Sequence, residues 1–306
     1  MPHLLGIDLG GTKSAALVGD GASGKVAVRV SAPTPSGGSA EELAGFLLRL
    51  AQDALEKFGG DVDGCGVSVG GPTDAARGLA FAAPAIPGWG EDGFPLQKFL
   101  EGGLNLPVKL ENDADTTALA EWKFGAGRGT QTMAFLTVGT GIGSGLILNG
   151  RLHRGAFGAG GEVGHLIVES GGRACVCGMR GCLEAYATGP SLVILAVENG
   201  YRGEPTGKAV TVAARAGDAA CLAAFQTAGE MLGRGLASLT MLLNPERIVL
   251  GTMAVHASDL LLPPALESLE RQCWRRLHEK LELHPAELGD RAQDLAALCA
   301  WSGPET

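Results

Sequence analysis

The chain has 306 residues, 45% of them apolar and 19% charged, with a formal net charge of −9 and a pI near 5.2. That is the composition of an ordinary globular protein, long enough for two domains and a sizeable core. The acidic balance and the lack of a basic block argue against a nucleic-acid partner, no apolar run reaches the length of a membrane span, and MPHLLGID lacks the parts of a signal peptide, so a cytoplasmic protein is expected.

In chain order, residues 4–31 read as three short strands, LLGID, SAALVGD and KVAVRVS, separated by the glycine turns LGGTK and GASG. Residues 40–58 carry apolar positions at helical spacing and stop at Gly59-Gly60. Strands are expected at 64–69 and 106–111, the latter running into Asn112-Asp113 and a helix that begins DTTALAEWKFG, with Asp113 or Asp115 as its cap. Residues 133–154 repeat the opening theme: strand MAFLTV, glycine turn GTGIGSG, strand LIL, an Asn149-Gly150 hairpin turn and RLHRG. The repetition implies two related domains, each with a glycine loop facing a shared cleft. Beyond Gly189-Pro190 the chain reads as mostly helical to about 302, interrupted by the strand NPERIVLG.

Glycine is abundant, 49 of 306, about twice the average share, and clusters in these turns, which favours close contact between backbone and ligand. In DLGGTK, Asp8 stands at a strand end before Gly10, Gly11, Thr12 and Lys13. Amides of such a turn can cradle phosphate oxygens, and Asp8 can hold Mg²⁺ through water. A plain hairpin turn explains the same residues. The second loop, with Thr140 and Gly141, tips the balance toward phosphate. In ENDAD, Glu111 to Asp115, a carboxylate could take a hydroxyl proton during phosphoryl transfer, and Asp113 is the candidate base. Helix capping accounts for one of these residues, with the better claim on Asp115.

The most informative segment is GGEVGHLIVESGGRACVCGMRGCLE, from Gly160 to Glu184. His165, Cys175, Cys177 and Cys182 are the ligand types of a closed tetrahedral zinc site, which is structural because no coordination position remains open. The chain has seven Cys, and in a reducing compartment they are not a disulfide framework. Cys65, Cys221, Cys273 and Cys299 stand in apolar contexts and read as core, while Met133, Phe135, Trp274 and Trp301 read as core or interface. Glu162 and Glu184 bracket the cluster, and carboxylates there suit sugar hydroxyls as donors.

Taken together, DLGGTK at 8–13, APAIPGW at 83–89, ENDAD at 111–115, GTGIGSG at 139–145, and GEVGH with CVCGMRGCLE at 161–184 resemble the motifs of the ROK family (repressors, open reading frames and kinases), and most of all its ATP-dependent glucokinases. The resemblance covers nearly the whole chain. It implies two actin-like, hexokinase-type (ribonuclease H-like) α/β domains with a cleft between them. The expected division is a small domain of residues 1–114 plus 290–306 and a large one of 115–289 carrying the zinc loop. It implies ATP and Mg²⁺ bound by Asp8, Gly10, Gly11, Thr12, Lys13, Thr140, Gly141 and Gly251. It further implies Asp113 as base on the 6-hydroxyl of glucose, with Asn112, Glu162, His165 and Glu184 on other hydroxyls. One ring nitrogen of His165 would face zinc and the other the sugar. A homodimer is expected.

Two departures from the family pattern stand out. Ala85 occupies a position where the family commonly has Asn, which bears on the choice of sugar. Gly251-Thr252-Met253-Ala254 replaces a glycine run, so that Thr252 and Met253 would reshape the purine pocket. The zinc signature counts against the polyphosphate-using members. The rival readings are an N-acylhexosamine kinase and a sugar-sensing regulator without a DNA-binding region.

Overall fold

The computed structural model describes residues 3–83, 89–90 and 92–302. The sugar-side motif at 83–89, with Ala85 in it, falls largely outside the described residues. The chain forms two compact units, 1–128 with 151–160 and 288–306, and 129–150 with 161–287.

In the first unit β1 (His3–Leu9), β2 (Lys13–Asp20) and β3 (Val26–Pro33) form an antiparallel meander, as the alternation of short runs and glycine turns predicts. After α1 (Ala40–Phe58) the chain adds β4 (Cys65–Val69), which pairs parallel with β1. A two-stranded ribbon of β5 (Thr73–Asp74) and β6 (Leu79–Ala80) follows, then α2 (Leu96–Leu104) and β7 (Val108–Asn112), parallel to β4. The sheet order is β3-β2-β1-β4-β7. Helix α1 occupies the span its periodicity predicts. Ser39 accepts from the Glu42 N–H while the Glu42 carboxylate accepts from the Ser39 N–H, and Gly59 ends the helix at φ 66°. Its inner face, Leu43, Leu47, Ala51 and Ala54, packs with Leu5, Ile7 and Val67 of the sheet. Each such leucine stabilises the unit by roughly 1.5–3 kcal/mol. On the sheet's other side lies the final helix, Ala292–Cys299, whose close approach requires glycine: a Cβ on Gly66 would meet the Ala297 carbonyl oxygen at 2.5 Å.

Helix α3 (Asp113–Phe124) belongs to this first unit rather than starting the second, as the expected boundary at 114 had it. It packs against the final helix. The buried Glu121 carboxylate at its C-terminal end accepts from the N–H groups of Ala126 and Leu288, tying the chain as it leaves the unit to the chain as it returns.

The second unit repeats the theme. Strand β8 (Met133–Val138) pairs antiparallel with β9 (Ile142–Leu148). The turn at Asn149 and Gly150 has φ 53° and 71°, the left-handed pair that a two-residue hairpin needs. Strand β10 (Arg151–Leu152), which belongs to the first unit, follows and is only two residues long. Helices α4 (Gly189–Glu198), α5 (Gly207–Arg215) and α6 (Ala219–Leu243) lead to β11 (Arg247–Thr252), parallel to β8. Short α7 (Met253–His256), α8 (Ser258–Gln272) and α9 (Arg275–His278) precede β12 (Glu282–Pro285), parallel to β11, and the chain ends in α10, the Ala292–Cys299 helix.

Three details depart from the sequence reading. The glycine turn is confined to Gly139–Gly141, because Gly143 and Gly145 lie within β9. The C-terminal third contains β12, which was expected to be helical. Trp274, expected at core or interface, is 61% exposed and so is not part of the core of this chain. Cys65, Cys221, Cys273, Cys299, Met133 and Phe135 are buried as expected. No helix among the described residues is long and apolar enough to cross a membrane.

Candidate active site

In the first unit the ends of β1 and β7 bring two carboxylates together. Asp8 is 7% exposed, and its carboxylate has no hydrogen-bond partner among the described residues. Burial, then the neighbouring Asp113 carboxylate, push its pKa up to about 7. Asp113 opens α3. Its side chain reaches solvent, but the surrounding protein desolvates it and raises its pKa, while the Ala114 N–H pulls the other way. The pairing of two carboxyls with raised pKa is how a group competent to accept a proton near neutral pH is made.

The cap of α3 is Asn112, not Asp113 or Asp115. Asn112 Oδ1 accepts from the N–H groups of Ala114 and Asp115, at 2.9 and 3.4 Å, and its Nδ2 donates to the Gly71 carbonyl at 2.9 Å. Asn112 therefore holds the helix start, and Asp113 is left free of capping.

The turn between β1 and β2 is built for an exposed backbone. Thr34 Oγ1 donates to the Gly10 carbonyl at 2.7 Å from beneath, and a Cβ on Gly10 would meet the Lys13 oxygen at 2.8 Å. Gly11, Thr12 and Lys13 are exposed. The N–H groups of Gly11 and Thr12 have no partner among the described residues, which suits a turn that receives an anion.

In the second unit the corresponding turn is held by the segment that contains the His/Cys cluster. Glu184 Oε2 accepts from the Ile142 N–H at 2.9 Å, Gly139 N–H donates to the Gly141 carbonyl, and Gly189 N–H donates to the Gly139 carbonyl. A Cβ on Gly141 would sit 2.8 Å from Glu184 Oε2, so a side chain there would displace the carboxylate that accepts from the Ile142 N–H. Thr140 is exposed.

His165, Cys175, Cys177 and Cys182 converge, each offering one donor atom, with these atoms all within 4.8 Å of one another. Cys175 Sγ lies 3.8 Å from His165 Nδ1, and Cys177 Sγ lies 3.7 Å from Cys182 Sγ. Zn–S bonds of about 2.3 Å in a tetrahedron place sulfurs about 3.8 Å apart, so the donor set fits zinc in identity and spacing. The backbone is shaped for it. Gly178 and Gly181 have φ 88° and 85°, and a Cβ on Gly181 would clash with the Glu169 carbonyl. Because Nδ1 faces the thiols, His165 Nε2 remains for another partner. Glu162, exposed, follows the Gly160-Gly161 turn, whose second carbonyl accepts from Ser144 Oγ of β9.

Gly251 is buried in β11, where a Cβ would meet the Phe135 ring at 3.3 Å. The exposed residue at this strand end is Thr252, with φ 54° and ψ −114°, a conformation made for glycine. Its Oγ1 lies 3.2 Å from Thr137 Oγ1.

A model of the ROK family matches residues 4–302. The chain belongs to the ROK family. The solved ROK hexokinase of Thermus thermophilus is 38% identical over 98% of each chain, with a TM-score of 0.87. A ROK glucokinase of Streptomyces griseus, solved with glucose and AMPPNP, is 33% identical, covers 98% of this chain and 100% of its own, and superposes with a TM-score of 0.78. The glucokinase of Streptomyces coelicolor is 32% identical over 94% of both chains. The two α/β units are the actin-like domains expected of a ROK protein.

Within the units, the predicted residues gather as three sets: Asp8 with Asp113 and the Gly10–Lys13 turn, Glu184 with Thr140 and Gly141, and the four-residue His/Cys cluster. Sequence reading missed Arg154. Its Nε and Nη2 lie 2.6 and 2.5 Å from Glu111 Oε2, a contact across 43 positions for which no local pattern gives a sign. Ser144 and Thr34, which brace two of the turns, were missed for the same reason.

Proposed function

We propose that this ROK protein is a sugar kinase that transfers the γ-phosphoryl group of ATP to the 6-hydroxyl of D-glucose, giving ADP and glucose 6-phosphate. The observation that carries the reading is the Asp8–Asp113 pair beside a turn with free N–H groups, because phosphoryl transfer needs a positioned base next to an anion cradle. The S. griseus and S. coelicolor relatives, both glucokinases, support glucose as acceptor and ATP as donor.

In this mechanism Asp113 accepts the proton of the 6-hydroxyl. The oxygen bonds to the γ-phosphorus as the bond to the β,γ-bridging oxygen breaks, and ADP leaves. The Gly10–Lys13 and Gly139–Gly141 turns direct N–H groups at phosphate oxygens. Asp8 would hold Mg²⁺ through water, and the ion would supply neutralisation of charge on the transferring phosphate. Glu162, His165 through Nε2, Glu184 and the remaining Asn112 N–H accept from or donate to sugar hydroxyls. His165, Cys175, Cys177 and Cys182 would hold zinc, which would give the segment its shape and fix the ring of His165.

The test is ADP release with ATP–Mg²⁺ and glucose, mannose, fructose, N-acetylglucosamine or N-acetylmannosamine. Glucose-dependent turnover should fall by about 10²–10⁴ in Asp113→Asn while the fold is kept. Near-full activity in that variant, or turnover only with an N-acyl sugar, overturns the assignment.

A further inference from the structure

Glu111 is 4% exposed at the end of β7, one residue before the Asn112 cap and two before Asp113. Its Oε2 receives both Nε and Nη2 of Arg154, and its Oε1 accepts from the Asn112 N–H at 3.3 Å. Asn112 in turn caps α3. An unbroken series of hydrogen bonds thus runs from the Arg154 guanidinium to the backbone that carries Asp113.

Arg154 also closes a loop. Its carbonyl accepts from the Gly160 N–H at 2.8 Å, and a Cβ on Gly160 would meet the Arg154 carbonyl carbon at 2.7 Å. The residues between, Gly155 to Ala159, are exposed, while the Arg154 side chain turns inward and is 22% exposed. Gly160 leads directly to Gly161 and Glu162.

A buried ion pair is a poor stabiliser, since desolvation consumes most of its attraction and apolar residues of equal volume do as well or better. A pair that instead fixes register has a reason to be ionic. We infer that Arg154 and Glu111 form a positioning clamp, which sets the backbone of Asn112–Asp113 and the base of the Arg154–Gly160 loop that delivers Glu162. The clamp rests on the reading of Asp113 as base and Glu162 as sugar ligand, and it predicts that the acceptor side of catalysis depends on a pair that touches no substrate.

The test is a double-mutant cycle of Arg154→Met, Glu111→Met and the double variant, read by melting, by hydrogen exchange of residues 111–116 and 154–162, and by kinetics with sugar and ATP varied separately. Arg154→Met should melt earlier, exchange faster in both segments, and lose about 10²-fold in kcat/KM for the sugar with the KM for ATP unchanged, as a displacement of about 1 Å costs. The double variant should regain melting temperature, because no charge is left buried alone, but regain neither protection at 154–162 nor sugar kcat/KM. Recovery of all three would make the pair a packing element and overturn the clamp, as would wild-type exchange in Arg154→Met. Should Arg154→Met fail to fold, Arg154→Lys keeps the charge without placing two N–H groups on Oε2, and the same readouts apply. A wild type inactive with every sugar sinks the kinase reading, whereas the clamp still stands or falls on the exchange pattern.

Discussion

The two glycine turns look alike in sequence, strand then Gly-Gly-Thr or Gly-Thr-Gly then strand, yet they are held in different ways. The turn of β1 and β2 is braced by one residue just past β3, Thr34, whose hydroxyl donates to the Gly10 carbonyl and whose N–H donates to the Thr12 carbonyl, and it lies beside two carboxyls whose pKa desolvation raises. The turn of β8 and β9 is gripped from a distance, by the Glu184 carboxylate and the Gly189 N–H, both close in sequence to Cys182 of the His/Cys cluster. The first is thus local and electrostatically strained, and the second depends on how a separate segment folds. Variants that separate strain from support should therefore act on one turn and spare the other.

The largest effect is expected at Asp8, and its sign follows from linkage. The folded pKa of about 7 exceeds the ordinary 3.8, so the folded state binds more protons than the unfolded chain between these values. Stability from this group is therefore full below about pH 4, falls as pH rises toward 7, and stays low above. Asp8→Asn removes the penalty. At pH 8, without nucleotide or metal, the variant should be more stable by roughly 2–4 kcal/mol, by the conversion of 1.36 kcal/mol per pKa unit. The gap from wild type should close by pH 4. Urea unfolding at both pH values checks it, and a gap of equal size at pH 4 would refute the electrostatic cause. Turnover should be lost in the same variant, the pattern of a site that trades stability for function.

How much of this could be read beforehand varies with the range of the interaction. Helix α1 was legible because its apolar spacing, its start and its Gly59 stop are all local. Strand β12 was not: Glu282-Leu283-His284-Pro285 is four residues, mixed in polarity, and takes its place only through parallel pairing with β11. The four metal-type ligands were legible as a cluster because they fall within 18 positions of one another, whereas the role of Asn112 was misjudged. Three carboxylates around it suggested an Asp cap, and only the geometry shows that the amide reaches two N–H groups at once and leaves Asp113 free. Arg154 was invisible because its partner lies 43 residues away.

A smaller effect is expected for Glu184→Ala, which leaves the Ile142 N–H without its acceptor. Losing such a charge-assisted bond costs about 1.5–3 kcal/mol. Hydrogen exchange at 139–145 should quicken while residues 9–14 keep wild-type protection. Equal quickening in both turns would show that the second is not separately supported.

The smallest effect concerns Thr252, at the end of β11. A β-branched residue at φ 54° and ψ −114° stores about 1–3 kcal/mol of backbone strain, against which stands a 3.2 Å hydroxyl contact with Thr137. Thr252→Gly relieves the strain but adds roughly 0.5–1 kcal/mol of unfolded-chain entropy, so the net gain should be about 1 kcal/mol, a rise in melting temperature of a few degrees at most for a domain of this size. Thr252→Ala separates the causes. Alanine loses the same hydroxyl and keeps the Cβ that makes this conformation unfavourable, so it should melt no higher than wild type. If alanine stabilises as much as glycine, the strain lies elsewhere, and the threonine is held at this strand end by its surroundings rather than against its own backbone preference.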